Sequence, residues 1–152
     1  MNHIRIKDNI YWVGAINPDM RVFGMVFKVD HGTTYNSYLI KDKKTAIIDT
    51  VKASFTDGFI SNTKSLTDPK HIDFIIISHS EPDHSGALSE LLKLAVNAKV
   101  IASKSGGNLL KNIINASYDL INIEECKCIK PGTYELKFIP TRYLHWPDTF
   151  IT

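Results

Sequence analysis

Apolar residues fall at two distinct periods along this chain, and the change of period divides it into two halves. In the first half they form short runs or alternate with polar residues, as strands do. I-Y-W-V-G-A (10–15) is strand-like and is broken by N-P-D. R-V-F-G-M-V-F-K-V (21–29) reads as a strand with Gly24 as a bulge. T-T-Y-N-S-Y-L-I (33–40), a tight K-D-K-K turn and T-A-I-I-D-T (45–50) carry the signature of a hairpin. S-F-T-D-G-F-I-S-N-T-K-S-L (54–66) then predicts an amphipathic helix capped by Ser54 or Thr56.

From residue 71 the pattern becomes strand, loop, helix, strand, helix. H-I-D-F-I-I-I-S (71–78) is nearly all apolar, as expected for a strand covered on both faces. A loop leads into A-L-S-E-L-L-K-L-A-V, where Leu88, Leu91, Leu92 and Ala95 share one helical face. A-K-V-I-A-S is the next strand, and a further helix opens after Ser105-Gly106-Gly107. L-I-N-I, K-C-I-K and Y-E-L-K-F-I-P are three more strand candidates. The reading is a single α/β domain without repeats, low-complexity segments or linkers. A sheet with helices on one face must bury its other face, and the strands after residue 116 look too few for that layer. The expectation is that another chain covers the face, as a second copy or a complementing chain, or that the sequence is part of a longer protein.

Composition narrows the partners. The 152 residues can bury a core without staples, and a hydrophobic share of 43% with 22% charged is ordinary for a globular protein. A net charge of +2, from scattered lysines, gives no reason to expect nucleic acid or an anionic membrane as a partner. No run approaches the roughly 20 apolar residues of a membrane span, and M-N-H-I-R-I-K-D lacks a signal-peptide core. A cytoplasmic protein is the expectation. Cys126 and Cys128, in C-K-C, supply two thiols where a tetrahedral site needs four ligands, and they read as free thiols in or beside a strand.

Residues 78–86, S-H-S-E-P-D-H-S-G, hold the chemistry. His79, Glu81, Asp83 and His84 follow a buried strand, where α/β folds place their sites. Imidazole and carboxylate together suit iron, manganese or zinc, and without thiolates they do not suit an iron–sulfur cluster. In extended backbone, His79, Glu81 and Asp83 alternate onto one side, leaving His84 to serve a second position. Asp83 or Ser85 is a candidate cap for the following helix. The amides at that helix's start offer hydrogen bonds to a ligating carboxylate. His145, in L-H-W-P-D after the last strand candidate, belongs at the same end of the sheet. Asp148 reads as a turn residue after Pro147 in preference to an acceptor for an imidazole N–H. His3, His31 and His71 lack such neighbours and read as element-end residues.

S-H-S-E-P-D-H-S-G resembles the H-x-E-x-D-H motif of flavodiiron proteins (A-type flavoproteins). These belong to the metallo-β-lactamase superfamily, whose general motif is H-x-H-x-D-H, and Glu81 stands where its hydrolases carry histidine. I-Y-W-V-G-A, G-T-T-Y-N-S-Y-L-I with the following D-K-K-T-A-I-I-D-T, and L-H-W-P-D extend the likeness over almost the whole chain. The resemblance implies the N-terminal portion of a metallo-β-lactamase-like αββα sandwich. It implies that His79, Glu81 and His145 ligate one iron, and that Asp83 and His84 belong to a second. It also implies reduction of dioxygen to water, or of nitric oxide to nitrous oxide, with electrons from an FMN-bearing flavodoxin-like domain or a rubredoxin.

Four features of the family pattern are expected to be missing from residues 1–152. They are a bridging aspartate and a further histidine beyond L-H-W-P-D, the flavodoxin-like domain with its FMN, and a histidine near Gly24. Five ligands leave two irons unbridged, so a single metal at His79, Glu81 and His145 is an expected variant. Two other functions remain as alternatives: a non-catalytic metal- or oxygen-binding module, and a zinc hydrolase, against which Glu81 argues.

Overall fold

The computed structural model describes residues 3–24 and 26–152. Its strands are β1 (Ile4–Lys7), β2 (Ile10–Trp12), β3 (Ala15–Asn17), β4 (Val22–Phe23), β5 (Phe27–Lys28), β6 (Thr33–Tyr35), β7 (Tyr38–Lys41), β8 (Thr45–Ile48), β9 (Ile72–Ile76), β10 (Lys99–Ala102), β11 (Asp119–Asn122), β12 (Cys128–Ile129), β13 (Leu136–Lys137), β14 (Ile139–Pro140) and β15 (Phe150–Ile151). The α-helices are α1 (Thr56–Lys64), α2 (Pro82–Ser85), α3 (Leu88–Leu94) and α4 (Lys104–Ile113).

Seven strands form one mixed sheet in the order β1-β2-β7-β8-β9-β10-β11. The first four are mutually antiparallel, and β8, β9, β10 and β11 run parallel. Parallel neighbours need long crossovers, and the helical segments between these strands supply them. Within each strand, successive side chains enter opposite layers. Ile75 and Ile77 join Leu39, Ile47 and Val100 in a cluster with Phe59 of α1, Leu88 and Leu91 of α3 and Leu110 of α4. Ile76 joins Ile40, Ala46 and Ile101 on the other side. There the cover comes from the end of the chain: Ile129, Phe138 and Phe150 are buried against the sheet from the short ladders β12–β13 and β14–β15. So the residues after 116 do build part of the second layer.

Several expectations need correction. Residues 21–29 are not a bulged strand but a two-rung hairpin, β4–β5, with Gly24 at φ +58° in its turn, a backbone conformation that glycine adopts without steric cost. Y-E-L-K-F-I-P splits at Phe138, whose ring turns into the core while the flanking residues pair with different partners. β1 carries no strong signal in the sequence, because Ile4 and Ile6 are exposed on an edge strand. Neither Ser54 nor Thr56 caps α1, which continues from a 3₁₀ turn at Ala53–Phe55. α4 starts at Lys104 with Ser103 as its cap, so Gly106 and Gly107 lie inside its first turn. They are there for closeness: a Cβ on Gly107 would sit 2.4 Å from Leu120 Cδ2.

Among the described residues, no helix is long and apolar enough to cross a membrane. Both cysteines are free, with Cys126 just before β12 and Cys128 exposed within it. Ile75, fully buried at the centre of the sheet, sets the scale of the core: Ile75→Ala is expected to cost about 2–5 kcal/mol in urea unfolding. Ile6→Ala on the exposed edge should stay within about 0.5 kcal/mol.

Candidate metal centre

The carboxyl ends of β8, β9 and β10 finish level with one another, since Ile48 pairs with Ile76 and Ile76 with Ile101. The loops that follow therefore share one edge of the sheet. The loop after β9 carries S-H-S-E-P-D-H-S-G. It is extended to Glu81 and then coils into α2, because Pro82 occupies the first helical position, where its missing N–H costs nothing. This turn of helix defeats simple alternation. Glu81 stays with His79, but Asp83 is rotated away from Glu81 and towards His84.

Two groups of ligand-type atoms result, His79 with Glu81 and His145, and His79 with Asp83 and His84. In the first, Glu81 Oε2 lies 3.0 Å from His145 Nε2 and 3.3 Å from His79 Nε2. In the second, His84 Nε2 is 3.7 Å from Asp83 Oδ2, and the His79 and His84 rings stand 4.1 Å apart. His79, common to both, is only 6% exposed, whereas His145 is 59% exposed. Asp83 Oδ1 is buried without a hydrogen-bond partner, the condition that a bound cation would relieve. Imidazole nitrogen with carboxylate oxygen fits iron, manganese or zinc. His3, His31 and His71 join neither group.

Protonation equilibria differ between the two inner imidazoles. Burial holds the His79 pKa below its ordinary value, aided by repulsion from His84 and opposed by Asp49, Glu81 and Asp83. Its ring nitrogen thus stays a lone-pair donor, the form a metal needs. Burial also disfavours charge on His84, but the hydrogen bond and charge of Asp49, with Asp83 and Glu81, outweigh it and raise the pKa.

Asp49 is the residue that the sequence reading missed. It is buried at the end of β8 at φ +56°, a conformation that Asp tolerates better than most residues. Its Oδ1 accepts from Ser78 N at 2.7 Å, and its Oδ2 lies 3.0 Å from His84 Nδ1. Holding Nδ1 turns Nε2 towards Asp83 and fixes the tautomer. Thr50 grips the same turn, its N–H and hydroxyl both donating to His84 O at 2.7 Å. The one signal for both residues was D-T closing the apolar run T-A-I-I-D-T, level with the loop after β9.

Asp148 has a role beyond its sequence reading. It does lie in the turn after Pro147, as the sequence reading has it, but that turn is buried: Asp148 is 1% exposed, and its Oδ2 accepts from Ser80 N at 2.7 Å and from no imidazole. The expected cap for the next helix is absent too: α3 has Ala87 at its N-cap, and Ser85 Oγ instead donates to Ser80 O and Glu81 O.

Beside the two groups lies a cavity of about 550 Å³, lined by Glu81, Asp83, Val22, Phe23, Tyr35 and Lys52. Gly24 lines it as well, so the β4–β5 hairpin forms an apolar wall at the point where the family resemblance placed a histidine. A groove of similar volume, 570 Å³, runs between α1 and α3 past Lys64, Glu90 and Lys93, but among the described residues no ligand cluster adjoins it. Removing the Asp49 carboxylate leaves a half-buried Ser78 N–H without its acceptor. Asp49→Ala should therefore lower stability by about 1–3 kcal/mol in chemical denaturation, with Asn at the same position recovering part of the loss.

Known proteins share this fold. Residues 33–152 match the family described as ODP family beta lactamase. The whole chain is 46% identical to part of Flavo-diiron protein FprA2 of Clostridium acetobutylicum, and 98% of it is 36% identical to part of a nitric oxide reductase of Moorella thermoacetica. In each case the chain spans 38% of the relative's length. Among solved structures, rubredoxin oxygen:oxidoreductase from Desulfovibrio gigas superposes with a TM-score of 0.91 at 33% identity, over 98% of this chain and 37% of that one. The flavodiiron protein from Giardia intestinalis gives 0.92 at 28%, over 99% and 37%. The fold is accordingly the metallo-β-lactamase-like core of these proteins. With its described relatives among the flavodiiron proteins, this chain belongs to the ODP family of beta-lactamase domains.

Proposed function

We propose that this chain is the metal-binding portion of a flavodiiron-type oxidoreductase that reduces dioxygen to water or nitric oxide to nitrous oxide. The observation that carries the reading is the meeting of His79, Glu81 and His145, drawn from two segments 64 residues apart, around a single carboxylate oxygen. These three residues would hold one iron, and Asp83 with His84 would contribute to a second. Bound iron supplies one-electron redox changes and open positions for a diatomic gas. The protein's part is to keep His79 neutral, aim His84 through Asp49 and leave an apolar-walled cavity at Glu81 and Asp83.

Electrons must come from outside these 152 residues, either from an FMN-bearing flavodoxin-like domain or from a rubredoxin. The names of the relatives support that reading, since they include a rubredoxin oxygen:oxidoreductase and a putative diflavin flavoprotein. Ile139, Leu144 and Ile151 remain exposed at the β14–β15 end of the chain. Burying them is the role proposed for a second copy or a complementing chain, and sedimentation should then show an assembly larger than a monomer.

The direct test is anaerobic loading with ferrous iron, followed by oxygen or nitric oxide consumption with a reduced flavoprotein donor. Glu81→Ala and His79→Ala should each weaken iron binding by more than the roughly 10–100-fold that loss of an outer-shell partner costs. Turnover should require the donor and, where a second chain completes the site, that chain. Iron binding without turnover in either arrangement would point to a non-catalytic module. Stoichiometric zinc with ester hydrolysis, and no iron-dependent gas consumption, would replace the redox reading with a hydrolase.

A further inference from the structure

We infer that Asp148 is a positioning residue that assembles the His79–Glu81–His145 group by latching the loop after β9 to the segment that carries His145. His145 is the outlier of the group, highly exposed and 61 residues beyond His84 in sequence. Something must hold its segment against the loop, and Asp148 makes two of the contacts that do so. Its carboxylate Oδ2 accepts from Ser80 N, between two of the three ligand-type residues. Its carbonyl accepts from Ser103 Oγ at 2.8 Å, tying the segment to the end of β10. Two residues on, Phe150 N donates to Ser78 O at 3.0 Å. The segment is thereby stitched to residues 78 and 80 on either side of His79.

The carboxylate has a further support. Gly106, in the first turn of the ten-residue α4, lies so close that a Cβ there would be 3.1 Å from Asp148 Oδ2 and 3.2 Å from Ser103 Oγ. A helix start favours an adjacent negative charge, and here the absent side chain lets the helix approach it. Asp148 Oδ1 is buried without a hydrogen-bond partner, so the group is retained despite incomplete pairing. A merely space-filling residue at this point would avoid that cost. The latch is separate from the grip of Asp49 and Thr50, which acts on His84 and α2 from the other side.

The affinity half of the test rests on the metal reading above, and the exchange half does not. In metal-free protein, Asp148→Ala should speed amide hydrogen exchange at Ser80 and Phe150 while Thr50 and Ala87 keep their protection. Wild-type exchange at Ser80 and Phe150 would overturn the inference whether or not metal binds. In cobalt(II) titrations followed by visible absorption, Asp148→Ala should lose roughly 10–100-fold in affinity. Asp148→Asn, which keeps an oxygen for Ser80 N, should recover most of that loss. Because Asp148 acts through His145, the double variant with His145→Ala should bind no more weakly than His145→Ala alone, and additive losses would overturn the inference. Gly106→Ala, which crowds the carboxylate from the helix side, should give the same exchange pattern in a milder form. If wild-type protein takes up no cobalt while the exchange pattern appears, the metal reading fails and the latch stands.

Discussion

Parallel pairing of β8, β9 and β10 with level carboxyl ends is the constraint from which the candidate site follows. Asp49 N donates to Ile76 O, and Ile77 N to Ile101 O, carrying the ladder one residue past each formal strand end. That pairing brings Asp49 and Ser78, each at the start of a loop, and Ser103, the cap of α4, to the same edge of the sheet. A one-residue slip in any pair would exchange the two faces of a strand. It would drive Ile75 out of the helix-covered core and carry Asp49 out of reach of Ser78. The core thus protects the geometry of the polar site at its edge.

Polar satisfaction then organises what stands on the edge. Backbone N–H groups of Ser78 and Ser80 are drawn out of regular structure by the loop and need acceptors. Both are met by aspartate oxygens from other parts of the chain, Asp49 and Asp148, at 2.7 Å each. Placing two more carboxylates next to Glu81 and Asp83 concentrates acidic groups around two inner imidazoles. Such an arrangement favours a cation and accounts for the opposite pKa directions of His79 and His84: burial prevails at the first, the Asp49 contact at the second. Of the two aspartates that tie the loop down, Asp49 therefore also acts on the protonation of both imidazoles.

Much of the fold was legible. The strand covered on both faces at Ile75, Ile76 and Ile77, the apolar face of Leu88, Leu91 and Leu92, and the hairpin of β7 and β8 all appear where the pattern marked them. The pattern failed where a residue's role depends on a distant neighbour. Gly106 and Gly107 read as a break before a helix, yet they lie inside it, because Asp148 and Leu120 press against that turn. Phe138 reads as mid-strand but divides two ladders, since the core claims its ring.

The candidate site divides in the same way. The sequence by itself determined which side chains were available: two imidazoles and two carboxylates in one loop after a buried strand, with Pro82 among them and His145 apart. These follow from local order, which fixes spacing and backbone preference. Tertiary structure decided the grouping. The helical turn begun by Pro82 parted Asp83 from Glu81, strand pairing delivered Asp49 to His84, and a buried aspartate 68 residues away brought the His145 segment to the loop. None of those contacts has a periodic signature, because hydrogen bonds between distant segments depend on where the chain folds back and not on the residues beside them.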